Sequence, residues 1–164
     1  MVQPKPDPVE GGLVELGPLK LKLPGGFGIV QQGPNTLLMR HISDLTVTIG
    51  ISGKTNETQD AKTIDAFLTK AESELSKLTD AKVSRETRTL PNSTRVLKGV
   101  VAHTMDRRGT PVAERREMWV VTDGPAIVTT SFIFLEGSGS SVRAVDAVLL
   151  MISDSVEALA GPAK

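Results

Sequence analysis

The amino-acid sequence predicts an α+β fold, an antiparallel β-sheet packed by two main α-helices. Several segments alternate apolar and polar residues, which is the period of a half-buried strand. Two longer stretches repeat their apolar residues every three or four positions, which is the period of an amphipathic helix. Most strands of the second half are separated only by short turns, and short turns join antiparallel neighbours.

Residues 1–12 carry Pro4, Pro6 and Pro8 and end in Gly11-Gly12, a composition that favours an extended, poorly packed segment. They are read as a flexible tail, and residues 13–164 as a single domain. Leu19, Leu21 and Leu23 alternate with Lys20 and Lys22 and form a strand that Pro24-Gly25-Gly26 terminates. Residues 36–40 read as a short second strand. Leu45, Val47, Ile49 and Ile51 alternate with Thr46, Thr48 and Gly50, a strand rich in β-branched residues. Residues 52–59 are polar and read as a loop. Asp60 is placed to cap a helix, and Ile64, Phe67, Leu68, Ala71, Leu75 and Leu78 make its apolar stripe.

Residues 82–89 are polar and read as a strand near an edge. Residues 95–105 and 111–122 form a hairpin around Asp106-Arg107-Arg108-Gly109-Thr110. In its second arm Val112, Glu114, Arg116, Met118 and Val120 share one face, and Ala113, Arg115, Glu117, Trp119 and Val121 share the other. Charges in the middle and apolar residues at the end predict that one end is wet and the other buried. Asp123-Gly124 signals a turn before the apolar and threonine-rich run 126–135, and residues 137–141 read as a flexible loop. A closing helix covers residues 142–159, with Val142, Val145, Leu149, Ile152, Val156 and Leu159 on its core stripe. Ala144, Ala147, Leu150 and Met151 widen that stripe, so the helix either packs tightly or offers a dimer or partner surface.

Composition narrows the function classes. A chain of 164 residues can bury a core without staples, and the lack of cysteine removes disulfides, thiolate zinc sites and a cysteine nucleophile. Lys+Arg and Asp+Glu both number 19, so there is no basic excess to favour nucleic acid, and aromatic residues at 3% are too few for base-stacking platforms. No apolar run approaches the roughly 20 residues of a membrane span. The opening residues lack the apolar core of a signal peptide, so a native start at Met1 implies the cytoplasm. A trimmed start would instead make the proline-rich opening the tether behind a removed signal or lipid anchor, and place the protein in the cell envelope or periplasm.

The run Leu19-Lys20-Leu21-Lys22-Leu23-Pro24-Gly25-Gly26-Phe27 resembles the opening strand and turn of the PsbP/DcrB-like superfamily. The helix at 60–78, the segment Gly99-Val100-Val101-Ala102-His103, the strand 114–121, the run 126–131 and the closing helix follow in the family's order. Phe27 stands where the family usually has Trp. The resemblance implies an α/β sandwich and a non-catalytic protein-binding module, a chaperone or adaptor for a type VI secretion effector. An envelope-associated accessory protein is the alternative within the family, and a small-molecule enzyme with an unrecognised site is the alternative outside it. The partner expected is a protein, an effector or envelope component, with a homodimer possible and no cofactor.

Catalytic and metal motifs are missing. His41 and His103 have no ligand-spaced partners, and a metal site needs at least three convergent ligands. Gly25-Gly26-Phe27-Gly28 has neither the following helix nor the lysine of a phosphate loop, and reads as a turn. Glu114 and Glu117 fall on opposite faces of a strand and cannot act as a catalytic pair. Arg107, Arg108, Arg115 and Arg116 are candidates for an anion patch, since guanidinium forks suit carboxylate or phosphate; exposed ion pairs with neighbouring acids are the alternative. Leu37, Met39, Val47, Ile49, Met118 and Val120, apolar members of alternating strands, are the candidate lining of a shallow partner groove on an uncovered sheet face.

Overall fold

A computed structural model describes residues 13–16, 19–52, 61–89, 96–121 and 127–160, apart from the side chains of residues 52, 61–63, 127 and 156–160. The expected tail, the Asp60 cap, the Asp123-Gly124 turn and the helix stop beyond residue 160 lie outside the described residues. The chain opens with β1 (Leu13–Leu16), β2 (Leu19–Lys22), β3 (Phe27–Gln32), β4 (Thr36–His41) and β5 (Thr46–Ser52). Helix α1 (Ala61–Ser76) follows, then β6 (Lys82–Thr89), β7 (Val96–Asp106), β8 (Val112–Val121), β9 (Ile127–Leu135) and helix α2 (Gly139–Ala160).

β1 and β2 form a separate antiparallel hairpin, and the other strands form one antiparallel sheet in the order β3-β4-β5-β9-β8-β7-β6. Alternation decides the two faces. Leu37 and Met39 of β4, Val47 and Ile49 of β5, Phe132 and Phe134 of β9, and Trp119 and Val121 of β8 point to one face. There they meet Val145, Val148, Leu149 and Ile152 of α2 and Leu16, Leu19 and Leu21 of the hairpin. Val100 and Val120 point to the opposite face and pack under Ile64 and Leu68 of α1, with Phe67, Ala71, Leu75, Val83 and Met118 around them. The fold is therefore an α+β sandwich with α2 and the hairpin on one side and α1 on the other.

The hairpin reading of 106–110 holds, since Asp106 lies opposite Val112 in the β7–β8 register. So does the gradient along β8, which is exposed at Val112 and buried at Trp119, Val120 and Val121. Gly99 sits opposite Trp119, and a Cβ there would collide with the indole ring and lie 2.5 Å from the Met118 carbonyl oxygen.

Three expectations change. The 137–141 segment is not a loop throughout. α2 begins at Gly139, and Ser138 caps it by accepting from the Ser141 amide at 3.2 Å. Val142 is 47% exposed, because the buried stripe is centred on residues 145, 148, 149 and 152. The strand at 19–22 does not join the main sheet; it pairs with β1 and lies against α2.

Candidate functional site

The groove expected from Leu37, Met39, Val47, Ile49, Met118 and Val120 is not present. Leu37, Met39, Val47, Ile49 and Val120 are fully buried and Met118 is half-buried under α1. The physical reason is parity: the residues on β4 and β5 face α2 and the hairpin, whereas those on β8 face α1, so the six lie on two sides of the sheet. Burying such side chains stabilises by about 1.5–3 kcal/mol each, and the fold gains that within one chain.

The anion patch is not assembled either. Arg107 donates to Asp80, Arg108 to Asp106, and Arg115 through Nε to Glu117 at 2.7 Å. Arg116 lies on the opposite face of β8 from Arg115, with a buried Nε that has no hydrogen-bond partner. Hydrogen bonds from Arg108 hold the Asp106 carboxyl below the usual carboxylate range. These are the local ion pairs that the alternative reading expected.

His103 also serves a pair, with Nδ1 at 2.7 Å from Glu136. Among the described residues no three His, Asp or Glu side chains are grouped to hold a metal ion. No described helix is long and apolar enough to cross a membrane. A cavity of about 450 Å³ lies beside α1, and Arg85 in its wall donates to Asp65 at 2.7 Å, Glu72 at 2.7 Å and Thr69 at 3.0 Å. Glu72 and Asp65 raise the Arg85 pKa further above its ordinary value, so this guanidinium is committed to structure.

A different surface has the makings of a site. Residues 143, 147, 150 and 154 follow one another at helical spacing and form one flank of α2. That flank faces the outer edge of β2. The Ser155 hydroxyl lies 2.7 Å from the Lys20 carbonyl oxygen and 2.8 Å from that of Met151, which fastens strand to helix at one end. Between them runs a groove of about 320 Å³ with Pro24, Ala147, Leu150 and Met151 on its apolar floor and Lys20, Lys22 and Asp154 on its rim. At Pro24 and Ala147 it opens into a second hollow of about 540 Å³, bounded by Gly25, His41, Ile42, Ser43 and Arg143. Ile42 stands at this mouth 76% exposed, the most exposed large apolar side chain among the described residues.

The mouth is held rigid by a polar chain that the spacing of residues did not reveal. Ser43 approaches His41 Nδ1 both with its amide, at 3.2 Å, and with its hydroxyl, at 2.7 Å. The Ser43 hydroxyl also lies 3.1 Å from that of fully buried Ser141, which the Ser138 hydroxyl reaches at 3.0 Å. Because the Ser43 amide donates to Nδ1, that nitrogen is the unprotonated one, and the neutral ring carries its hydrogen on Nε2. Burial lowers the His41 pKa below 6.5, against a smaller opposing pull from a hydrogen bond with the Gly25 backbone. The imidazole also tilts against Phe27, with ring centroids 4.7 Å apart. Gly26 has φ +87°, and a Cβ there would lie 2.6 Å from His41 Nε2, so the turn closes around the ring only with glycine.

No protein-family model matches the chain, and no curated protein sequence does. Solved structures do. A protein from Bacteroides thetaiotaomicron superposes with TM-score 0.56 at 13% identity over 87% of this chain. This chain spans about half the length of that one, 48%. The Saccharomyces cerevisiae Ran-binding protein Mog1p superposes with TM-score 0.54 at 14% identity, over 92% of this chain and 94% of its own. Cyanobacterial PsbP (CyanoP) from Synechocystis superposes with TM-score 0.51 at 12% identity, over 85% of each chain. The fold is PsbP-like. Within that PsbP-like sandwich, the groove lies where the β1–β2 hairpin and its Pro24-Gly25-Gly26 turn meet the last helix.

Proposed function

We propose that this chain is a non-catalytic protein-binding module, a chaperone or adaptor for a secreted effector, and that it holds its partner in the groove between β2, the 41–43 turn and α2. The observation that carries the reading is Ile42, exposed at the mouth of an apolar-floored groove that two well-packed elements hold open. Interfaces take their energy from a few apolar anchors beside ready-made pockets. The groove's floor is apolar, with its charged side chains, Lys20, Lys22 and Asp154, on the rim, and His41 at the mouth is tied to its own turn. Mog1p, with a similar fold, is a Ran-binding protein, and we take a protein partner for this chain as well. An adaptor of this kind meets its effector before export, which places it in the cytoplasm.

The test is capture of partners from the native host by the full chain and by Leu150→Glu. Leu150 is half-buried on the groove side of α2, so the substitution spoils the floor while leaving the core in place. Partners that are exported proteins, and that are lost with Leu150→Glu at an unchanged thermal midpoint, are the expected result. Capture that ignores the substitution contradicts the groove. Partners that are never exported contradict the effector reading and leave the binding reading intact.

A further inference from the structure

We infer that the groove takes an extended segment of a partner protein in which aliphatic and acidic residues alternate; the inference rests on the reading of this groove as a docking site. Shape comes first. From Arg143 to Asp154 the helix flank is about 16 Å long at roughly 1.5 Å per residue. That length accommodates about five residues of extended chain at about 3.3 Å each.

The strand edge points the same way. β2 pairs with β1 along one edge only, and the Lys20 carbonyl turns outward to the Ser155 hydroxyl of α2. Backbone groups repeat their direction every second residue, so the amide and carbonyl of Lys22 also face the groove. An extended segment can hydrogen-bond to such an edge, as strand-adding ligands do.

Charge and surface supply the residue types. Pro24, Ala147 and Leu150 present an apolar floor to alternate side chains of the occupant. Lys20, Lys22 and Arg143 lie along the rim, with Asp154 at the far end and Glu15 across from Lys20 in the β1–β2 register. Three cations against two carboxylates leave a positive rim, and the cations flank the floor on both sides. Carboxylates interleaved with aliphatic residues satisfy both.

The experiment uses three synthetic nonapeptides carrying a fluorescent label: alternating leucine and glutamate, alternating leucine and lysine, and alternating serine and glutamate. Each is titrated against the full chain and followed by fluorescence anisotropy. The leucine–glutamate peptide is expected to bind saturably and better than the other two. Its affinity is expected to fall about tenfold in the Lys20→Glu/Lys22→Glu variant and to weaken as salt rises from about 0.05 to 0.3 M. Arg143→Ser, a single change at an exposed position, gives a second reading of the same effect if the double charge reversal does not fold. Equal or tighter binding of the leucine–lysine peptide overturns the inference. So does a leucine–glutamate peptide that fails to bind at about millimolar concentration, or whose affinity ignores both the lysines and Arg143. Partner capture that still depends on Leu150 in those cases keeps the docking reading and removes only the acidic, extended occupant.

Discussion

Glu117 shows how one side chain ties the buried end of the sheet together. It is 6% exposed, accepts from the Trp119 indole at 2.8 Å and from the Arg115 guanidinium at 2.7 Å, and so fills two donors with one carboxylate. Glu117→Ala leaves the buried Trp119 indole N–H without its acceptor, which costs about 1–3 kcal/mol, while half-buried Arg115 keeps Glu136 at 3.9 Å. A loss of that size in urea unfolding, with a shift in Trp119 emission, is the expected outcome. The shared face of Arg115, Glu117 and Trp119 was legible from strand parity; that α2 covers this face was not, since parity alone does not say which side a helix takes.

His41 gives a second test at this scale. Its folded pKa is lowered by burial, so protonation favours the unfolded chain. Its contribution to stability is fully present above about pH 6.5 and is lost as pH falls through the lower folded value. The thermal midpoint of the wild-type chain should therefore fall as pH drops below 6.5 more than that of His41→Gln, measured by calorimetry. Equal slopes would contradict the lowered pKa of the buried ring. The sequence reading had His41 only as a histidine without ligand-spaced partners, because its partner Ser43 meets Ser141 only when the 41–43 turn docks on α2.

Among the elements, the strongly periodic ones were readable and the short or interrupted ones were not. α1, β5 and the β7–β8 hairpin follow their patterns closely. β1 spans only Leu13–Leu16, too few residues to show a period against the proline-rich stretch before it. β3 carries Gly28 and a register shift between Ile29 and Gln31, which breaks its alternation and leaves Val30 47% exposed. The first turn of α2 was hidden by Gly139 and Ser140, poor helix formers that Ser138 supports as a cap. Ser138→Ala should cost about 1 kcal/mol in urea unfolding. Gly99→Ala should cost more, about 1–3 kcal/mol, because its methyl group must displace the Trp119 ring or the Met118 backbone.

At the level of the whole molecule the fold class was legible, and the site was legible only in part. Alternation and helical spacing led to an α+β sandwich, which the PsbP-like likeness shares. They did not show that β1 and β2 would leave the main sheet and lie along α2, and so they directed the groove to residues that the core absorbs. The widened stripe of α2 is the one sequence feature that lies at the proposed groove, although its Ala144 and Met151 are buried in the core. Ala147 and Leu150 are more than a single sheet face requires, and both line the groove. The central claim, that this groove holds a protein partner, is tested most directly by a photoreactive amino acid placed at Ile42 in the native host. Val112, 39% exposed on a strand outside the groove, serves as the control position. Adducts with a protein partner formed from position 42 and not from position 112, and suppressed by Leu150→Glu, are the predicted result; equal adducts from both positions, or none from position 42, would contradict it.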